Sequence, residues 1–192
     1  MTPAFIFDCF GVLYHSSADE LYRRCAPERR DELHDIRMQR DRGYIHYDEY
    51  LDLVAELLGM DQPELRELAE QSHVRNEELF AFIRSINRTK YRVGLLSNIG
   101  DTTMDQLIPE SEQKELFDEV ILSYQVGMIK PDPRLFQLMI ERIGVSAEAC
   151  VMIDDVERNC LSAQSIGMQA IQYHDNDQTL HALRQFARIG DA

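Results

Sequence analysis

The sequence predicts an α/β fold: a doubly wound parallel sheet with a small helical segment inserted after its first strand. Three observations predict it. Short apolar runs of strand length, Phe5-Ile6-Phe7, Val93-Gly94-Leu95-Leu96 and Cys150-Val151-Met152-Ile153, each end in polar or turn residues, as strands buried on both faces of a parallel sheet do. Helical stripes such as Phe136, Met139, Ile140 and Ile143 separate the later runs, and strands alternating with helices imply right-handed parallel crossovers. Between Tyr14 and His73 the β-branched runs disappear and amphipathic helical patterning takes over.

The first run, Phe5 to Leu13, ends its apolar strand abruptly at Asp8, followed by Cys9-Phe10-Gly11. A carboxylate at the carboxyl end of a strand stands where open α/β sheets place ligands; a plain turn or cap residue is its other use. Ser17-Ala18-Asp19-Glu20 has the form of a capping box opening a helix. Pro27 suits the first turn of a second helix, running from Glu28 to Arg42 and stopped by Gly43. Tyr50, Val54, Leu57 and Leu58 share one face of a third, ended by Gly59, and Asp61-Gln62-Pro63-Glu64 opens a fourth. Leu79, Phe82, Ile83 and Ile86 mark a helix buried on one side, leading to a strand from Tyr91 to Leu96 that ends at Ser97-Asn98. A helix to about Leu116, a strand from Glu119 to Ser123 and the loop Gly127-Met128-Ile129-Lys130-Pro131-Asp132 follow. The strand Ala149 to Ile153 delivers Asp154-Asp155, a helix from Arg158 to Ile166 stops at Gly167, a last strand spans Met168 to Tyr173, and Leu180, Leu183 and Ala187 mark the closing helix. The expected division is a core of residues 1–14 and 75–192 with a helical domain of residues 15–74.

With 192 residues, 44% hydrophobic and 28% charged, the chain has ordinary globular composition and enough length for one core plus a small insertion. A net charge of −14, with Lys90, Lys114 and Lys130 as the only lysines, repels phosphate backbones and anionic lipid, so neither nucleic acid nor membrane is expected as a partner. Cys9, Cys25, Cys150 and Cys160 are scattered without a CxxC pair, which suggests neither a zinc site nor a disulfide framework and fits a reducing cytoplasm. No charged-then-apolar leader or long apolar run points to export or to a membrane span.

In order and spacing, Asp8, Ser97-Asn98, Lys130 and Asp154-Asp155 resemble the four motifs of the haloacid dehalogenase superfamily over nearly the whole chain. Its members are mostly magnesium-dependent phosphatases acting through an aspartyl nucleophile. The resemblance implies that Asp8 is that nucleophile, that the helical insertion is a four-helix cap over it, and that Asp8, Asp155 and the main-chain carbonyl of Phe10 bind Mg²⁺, with Asp154 reaching it through a water. The residue chemistry agrees. Three converging carboxylates repel one another unless a cation compensates, and all-oxygen ligands suit Mg²⁺. The Ser97 hydroxyl and the Asn98 backbone N–H suit phosphate oxygens at a strand-to-helix turn, though an ordinary N-cap uses the same residues. Lys130 adds a point charge beside phosphate and nucleophile, and Asn159, one helical turn beyond Asp155, is placed to orient Lys130 or the acidic pair.

One position departs from the family pattern. Its phosphatases commonly carry a second aspartate two residues after the nucleophile as general acid and base, and here that residue is Phe10. General acid–base help is worth about 10²–10⁴-fold, so its loss should tell most on poor leaving groups. Tyr14, His15 or a cap residue are the candidate substitutes. The sequence therefore leads to a Mg²⁺-dependent phosphatase for a small phosphorylated metabolite, a sugar phosphate being one candidate, working as a monomer or weak homodimer. One alternative is a metal-independent haloacid dehalogenase. Such enzymes place an aromatic tyrosine at the equivalent of Phe10, but they do not require a metal-binding pair like Asp154-Asp155. The other alternative is a non-catalytic phosphate-binding or regulatory member of the fold.

Overall fold

The structure, a computed structural model describing residues 2–190, is built on five parallel strands, β1 (Ala4–Phe7), β2 (Arg92–Ser97), β3 (Glu119–Leu122), β4 (Cys150–Asp154) and β5 (Gln169–Gln172). Their order is β3-β2-β1-β4-β5. The strand runs read from the sequence are buried on both faces, and alternate residues serve two cores. Phe5, Phe7, Val93, Leu95, Val151 and Ile153 enter one apolar cluster, whereas Ala4, Ile6, Leu96, Cys150 and Met152 enter the other.

Helices α1 (Ala18–Arg24), α2 (Arg30–Asp41), α3 (Tyr47–Leu58) and α4 (Gln62–Ser72) lie between β1 and α5 (Glu77–Ser85). They share a third apolar cluster, centred on Leu33, Leu51, Val54 and Leu65, separate from those on the sheet faces. Asp61 caps α4 as expected, accepting from the Glu64 N–H at 2.8 Å. The capping box does not form. Ser17 has helical backbone angles and makes no cap bond, while the hydroxyl of its neighbour Ser16 accepts from the Ala18 N–H at 3.1 Å. The second helix starts with a 3-10 turn over Pro27–Arg29.

The single helix expected to reach Leu116 is two, α6 (Thr103–Leu107) and α7 (Glu110–Leu116). Pro109 explains the break: it has no N–H to donate and forces Ile108 out of the helical region, here to ψ 101°. Ser123, expected to end the third strand, instead opens α8 (Ser123–Val126), which leads to the Lys130 loop and α9 (Pro133–Ile143). Helix α10 (Glu157–Ser165) links β4 to β5, and α11 (Asn176–Gly190) closes the chain. In α5 the fully buried face is Leu79, Phe80 and Ile83; Phe82 is only partly buried, meeting Phe5 edge-on at 5.8 Å, and Ile86, expected on the same stripe, lies just beyond the helix in extended backbone. All four cysteines are free and buried. Among the described residues no helix is long and apolar enough to cross a membrane.

Candidate active site

Strand β1 is central, and the chain turns to β2 and β3 on one side but to β4 and β5 on the other. That arrangement opens a crevice at the carboxyl ends of β1 and β4, the ligand position of open α/β sheets. Asp8 sits there, its N–H bonded to the Ile153 carbonyl at 2.9 Å. The turn beyond it is tightly closed: the Cys9 carbonyl accepts from the N–H groups of Leu13 and Tyr14 at 2.8 and 2.9 Å.

Lys130 Nζ lies 2.7 Å from Asp8 Oδ1 and 2.6 Å from Asp154 Oδ2, with its side chain 1% exposed. Asn98 fixes the loop that carries it, accepting from the Lys130 N–H at 2.7 Å and donating to the Lys130 carbonyl at 3.0 Å. Asn159, expected to orient Lys130 or the acids, serves the acids: its Nδ2 donates to Asp154 Oδ1 at 2.9 Å, as does the Val156 N–H. Burial works to raise the Asp154 carboxyl, but the Lys130 ammonium and these donors outweigh it and hold it below the usual carboxylate range. At Asp8 burial wins, helped by the charge of Asp154 against that of Lys130, and the carboxyl is pushed well up. Burial alone would weaken the Lys130 ammonium; the two carboxylates reverse that and raise it above an ordinary lysine.

Asp155 completes the cluster, with one oxygen from each of Asp8, Asp154 and Asp155 within 4.8 Å of the others. Its Oδ1 is buried without a hydrogen-bond partner. Burial and the neighbouring Asp154 raise its carboxyl. Three carboxylates against one ammonium leave a surplus of two negative charges, and the orphaned oxygen is an unused ligand. This donor set fits a divalent cation with oxygen preference. Gly11 makes the space for it: φ there is +91°, and a Cβ would lie 2.4 Å from Asp155 Cγ. Gly11→Ala is therefore expected to displace Asp155 and weaken any divalent-cation binding by at least about tenfold, measured by calorimetric titration of Mg²⁺.

Ser97 is fully buried beside the Cys9 thiol, and no well-aligned partner is found for its hydroxyl. The Phe10 ring leans on the His73 imidazole, centroids 5.1 Å apart. Of the two proton carriers named from the sequence, Tyr14 is committed elsewhere, donating to the Leu107 carbonyl at 2.7 Å, and His15 is exposed. A pocket of about 100 Å³ runs from Phe10 and Asn98 into the helical insertion, lined there by Arg37, Arg40, Tyr50 and His73 among others.

Residues 2–167 match the family model of haloacid dehalogenase-like hydrolases. The chain belongs to that family. Among curated relatives, a sesquiterpene phosphatase of Aspergillus oryzae is 26% identical over 77% of this chain and 76% of its own length. A drimenol cyclase of Aspergillus calidoustus is 27% identical over 74% of this chain but only 28% of its own length, so the hydrolase spans little more than a quarter of that relative. The solved structure of a family enzyme from Bacteroides thetaiotaomicron, in complex with magnesium and inorganic phosphate, superposes with a TM-score of 0.76 at 23% identity, covering 94% of this chain and 99% of that one. At that identity the likeness speaks for the fold.

The structure gathers Asp8, Ser97, Asn98, Lys130, Asp154, Asp155 and Asn159, all singled out from the sequence, at one end of the sheet. It also adds residues that the pattern did not single out. His73, Arg37 and Arg40 sit on insertion helices or their ends, and nothing in their spacing separates them from a solvated face; an arginine pair one turn apart on α2 was the only available signal.

Proposed function

We propose that the chain is a Mg²⁺-dependent phosphatase that hydrolyses a small phosphorylated metabolite through an aspartyl-phosphate on Asp8, with residues 15–74 acting as a cap that supplies the substrate pocket. The observation that carries this reading is the buried Lys130 bridging Asp8 and Asp154 beside the unpartnered Asp155 oxygen. It is a site short of positive charge next to a nucleophile. Asp8 attacks phosphorus in line, the ester oxygen leaves, and water then hydrolyses the aspartyl-phosphate. Lys130 stabilises the equatorial phosphoryl oxygens and holds Asp8 in place; the Ser97 hydroxyl and the Asn98 N–H donate to the same oxygens. Asp8, Asp155 and the Phe10 carbonyl would hold Mg²⁺ directly and Asp154 through a water, where the ion would offset repulsion between carboxylate and phosphate dianion. Short of general acid at Phe10, the enzyme acts best on leaving groups that depart as stable anions. The acidic surface and reduced cysteines favour a cytoplasmic monomer or weak homodimer.

The test compares p-nitrophenyl phosphate, which releases a phenolate, with ethyl phosphate, which releases an alkoxide. Turnover of the aryl ester that needs Mg²⁺, with the alkyl ester slower by about 10²-fold or more, is the expected result. Phe10→Asp should then raise ethyl phosphate turnover by up to about 10²-fold with little change on the aryl ester. The aromatic Phe10 keeps one second reading alive, a hydrolase attacking carbon. Metal-independent halide release from 2-chloropropionate, without phosphate release from either ester, would establish it instead.

A further inference from the structure

The pocket beyond Phe10 carries information about what the substrate holds at its other end. Three guanidiniums line it beside two carboxylates, Asp41 and Glu70, neither of which is ion-paired with Arg37 or Arg40 among the described residues, and the partners of the three differ. Arg66 is ion-paired with Asp48 at 2.9 Å. Arg37 lies over the Tyr22 ring at 5.4 Å with no carboxylate in ion-pair reach among the described residues, Asp41 acting on it only from further off. Arg40 is seated on the faces of Tyr50 and Tyr47, 4.5 and 5.4 Å from the ring centroids, and its Nη2 donates to Thr103 Oγ1 at 2.6 Å. Its Nε is buried and has no acceptor at all. A buried guanidinium N–H left without an acceptor is unfavourable, and a mobile arginine would turn it to solvent. Arg40 does not turn, because two rings and Thr103 fix it and because Gly100 clears its path: a Cβ there would lie 2.4 Å from Nε. Its charge also reaches the mouth of the Asp8 site, since after burial it is the main influence lowering the His73 imidazole, whose ring leans on Phe10.

In a chain of net charge −14, a fixed and under-partnered arginine pair inside a cavity points to an anion. We propose that Arg37 and Arg40 grip a second anionic group of the substrate, a carboxylate or a second phosphate, while the scissile phosphate occupies the Asp8 site. This rests on the phosphatase reading and sharpens it. A cavity of about 100 Å³ is far below the roughly 300–1,000 Å³ of pockets for drug-sized ligands, so the part of the substrate it takes up beyond Phe10 is small. The preferred substrates are then phosphate esters of short hydroxy acids or short bisphosphates, with neutral sugar phosphates poor by comparison.

The test uses three esters of equal carbon length: propyl phosphate, 3-phosphooxypropanoate and propane-1,3-diyl bisphosphate. Their kcat/KM is measured with Mg²⁺ on the native chain, Arg37→Gln, Arg40→Gln and Gly100→Ala, and their binding to Asp8→Asn by calorimetry. At least one doubly anionic ester should exceed propyl phosphate by roughly tenfold or more, and that ratio should collapse in Arg40→Gln and shrink in Arg37→Gln and Gly100→Ala. The ester preferred tells carboxylate from phosphate. Arg37→Gln breaks no hydrogen bond among the described residues, so it reports even where loss of Arg40 loosens the insertion. Equal rates on all three esters, or a ratio untouched by every variant, overturns the proposal. If no ester, p-nitrophenyl phosphate included, is turned over while Asp8→Asn still prefers the dianions, the phosphatase reading fails and the anion pocket stands.

Discussion

Asp8→Asn is expected to abolish phosphate release, by about 10⁴-fold or more, while leaving the protein folded and at least as stable. Asparagine keeps the shape of the side chain and an oxygen that can accept from the Cys9 N–H, now 2.6 Å away, but its amide cannot attack phosphorus. Stability should not fall, for a reason visible in the site. Burial holds the Asp8 carboxyl well above its ordinary range, with Asp154 adding to the shift and Lys130 opposing it. A carboxyl raised on folding stabilises the native state below the ordinary carboxylate range and loses that contribution as pH rises through its folded value. Asparagine removes that pH-dependent cost and lightens the repulsion on Asp154 and Asp155, while Lys130 keeps its contact with Asp154. Phosphate release from p-nitrophenyl phosphate and thermal melting at pH 7 check both halves. Residual turnover above about 1% would remove Asp8 from the role of nucleophile, since loss of a covalent catalyst costs far more than a hundredfold.

The candidate site residues were legible in the sequence because a parallel sheet prints them clearly. Buried strands must be apolar throughout, so Asp8, Ser97 and Asp154 stand out where the apolar runs stop. Lys130 stood out because lysine is rare in this chain. Elements without such a constraint were read less well. Ser16 and Ser17 offer the same hydroxyl chemistry to one helix start, and only the backbone path decides which is used. The break at Pro109 was readable from proline alone; the helical pattern on either side concealed it. Asn98 was read for its backbone N–H, yet its side chain takes on the Lys130 main chain, a partner remote in sequence. Arg40 was the least legible of all. On an amphipathic helix an arginine reads as solvated face, and its seat between two tyrosines, Thr103 and Gly100 exists only once the insertion is packed on the core.

Lys130→Met tests the electrostatic logic of the site from the opposite direction to Asp8→Asn. Methionine fills the same volume without the charge, so packing is conserved and the ion pairs alone are lost. Lys130 bridges Asp8 and Asp154, whose side chains are 9% and 0% exposed, and taking one partner from a buried ion pair costs about 3–5 kcal/mol at neutral pH. The remaining carboxylates then face one another without a cation, and their folded-state pKa values must rise. Groups raised in this way favour the native state at low pH, so the variant should regain stability as pH falls from 7 towards 5. In the native protein the Asp154 carboxyl, held below its usual value, keeps its contribution across that range and loses it only at more acid pH, so the gain on acidification should be larger in the variant than in the native chain. Added Mg²⁺ should rescue the variant too, by about 2.7 kcal/mol at a hundred times its dissociation constant, since a cation bound only by the folded state stabilises it by mass action. Phosphatase activity should nevertheless stay down by about 10²–10³-fold, because the ion cannot replace the ammonium at the phosphoryl oxygens. Melting curves at pH 5 and 7, each with Mg²⁺ and with chelator, separate these effects. A variant as stable as the native chain at pH 7 without metal would mean that Lys130 and its two carboxylates are not the coupled ionic unit their 2.6–2.7 Å contacts describe.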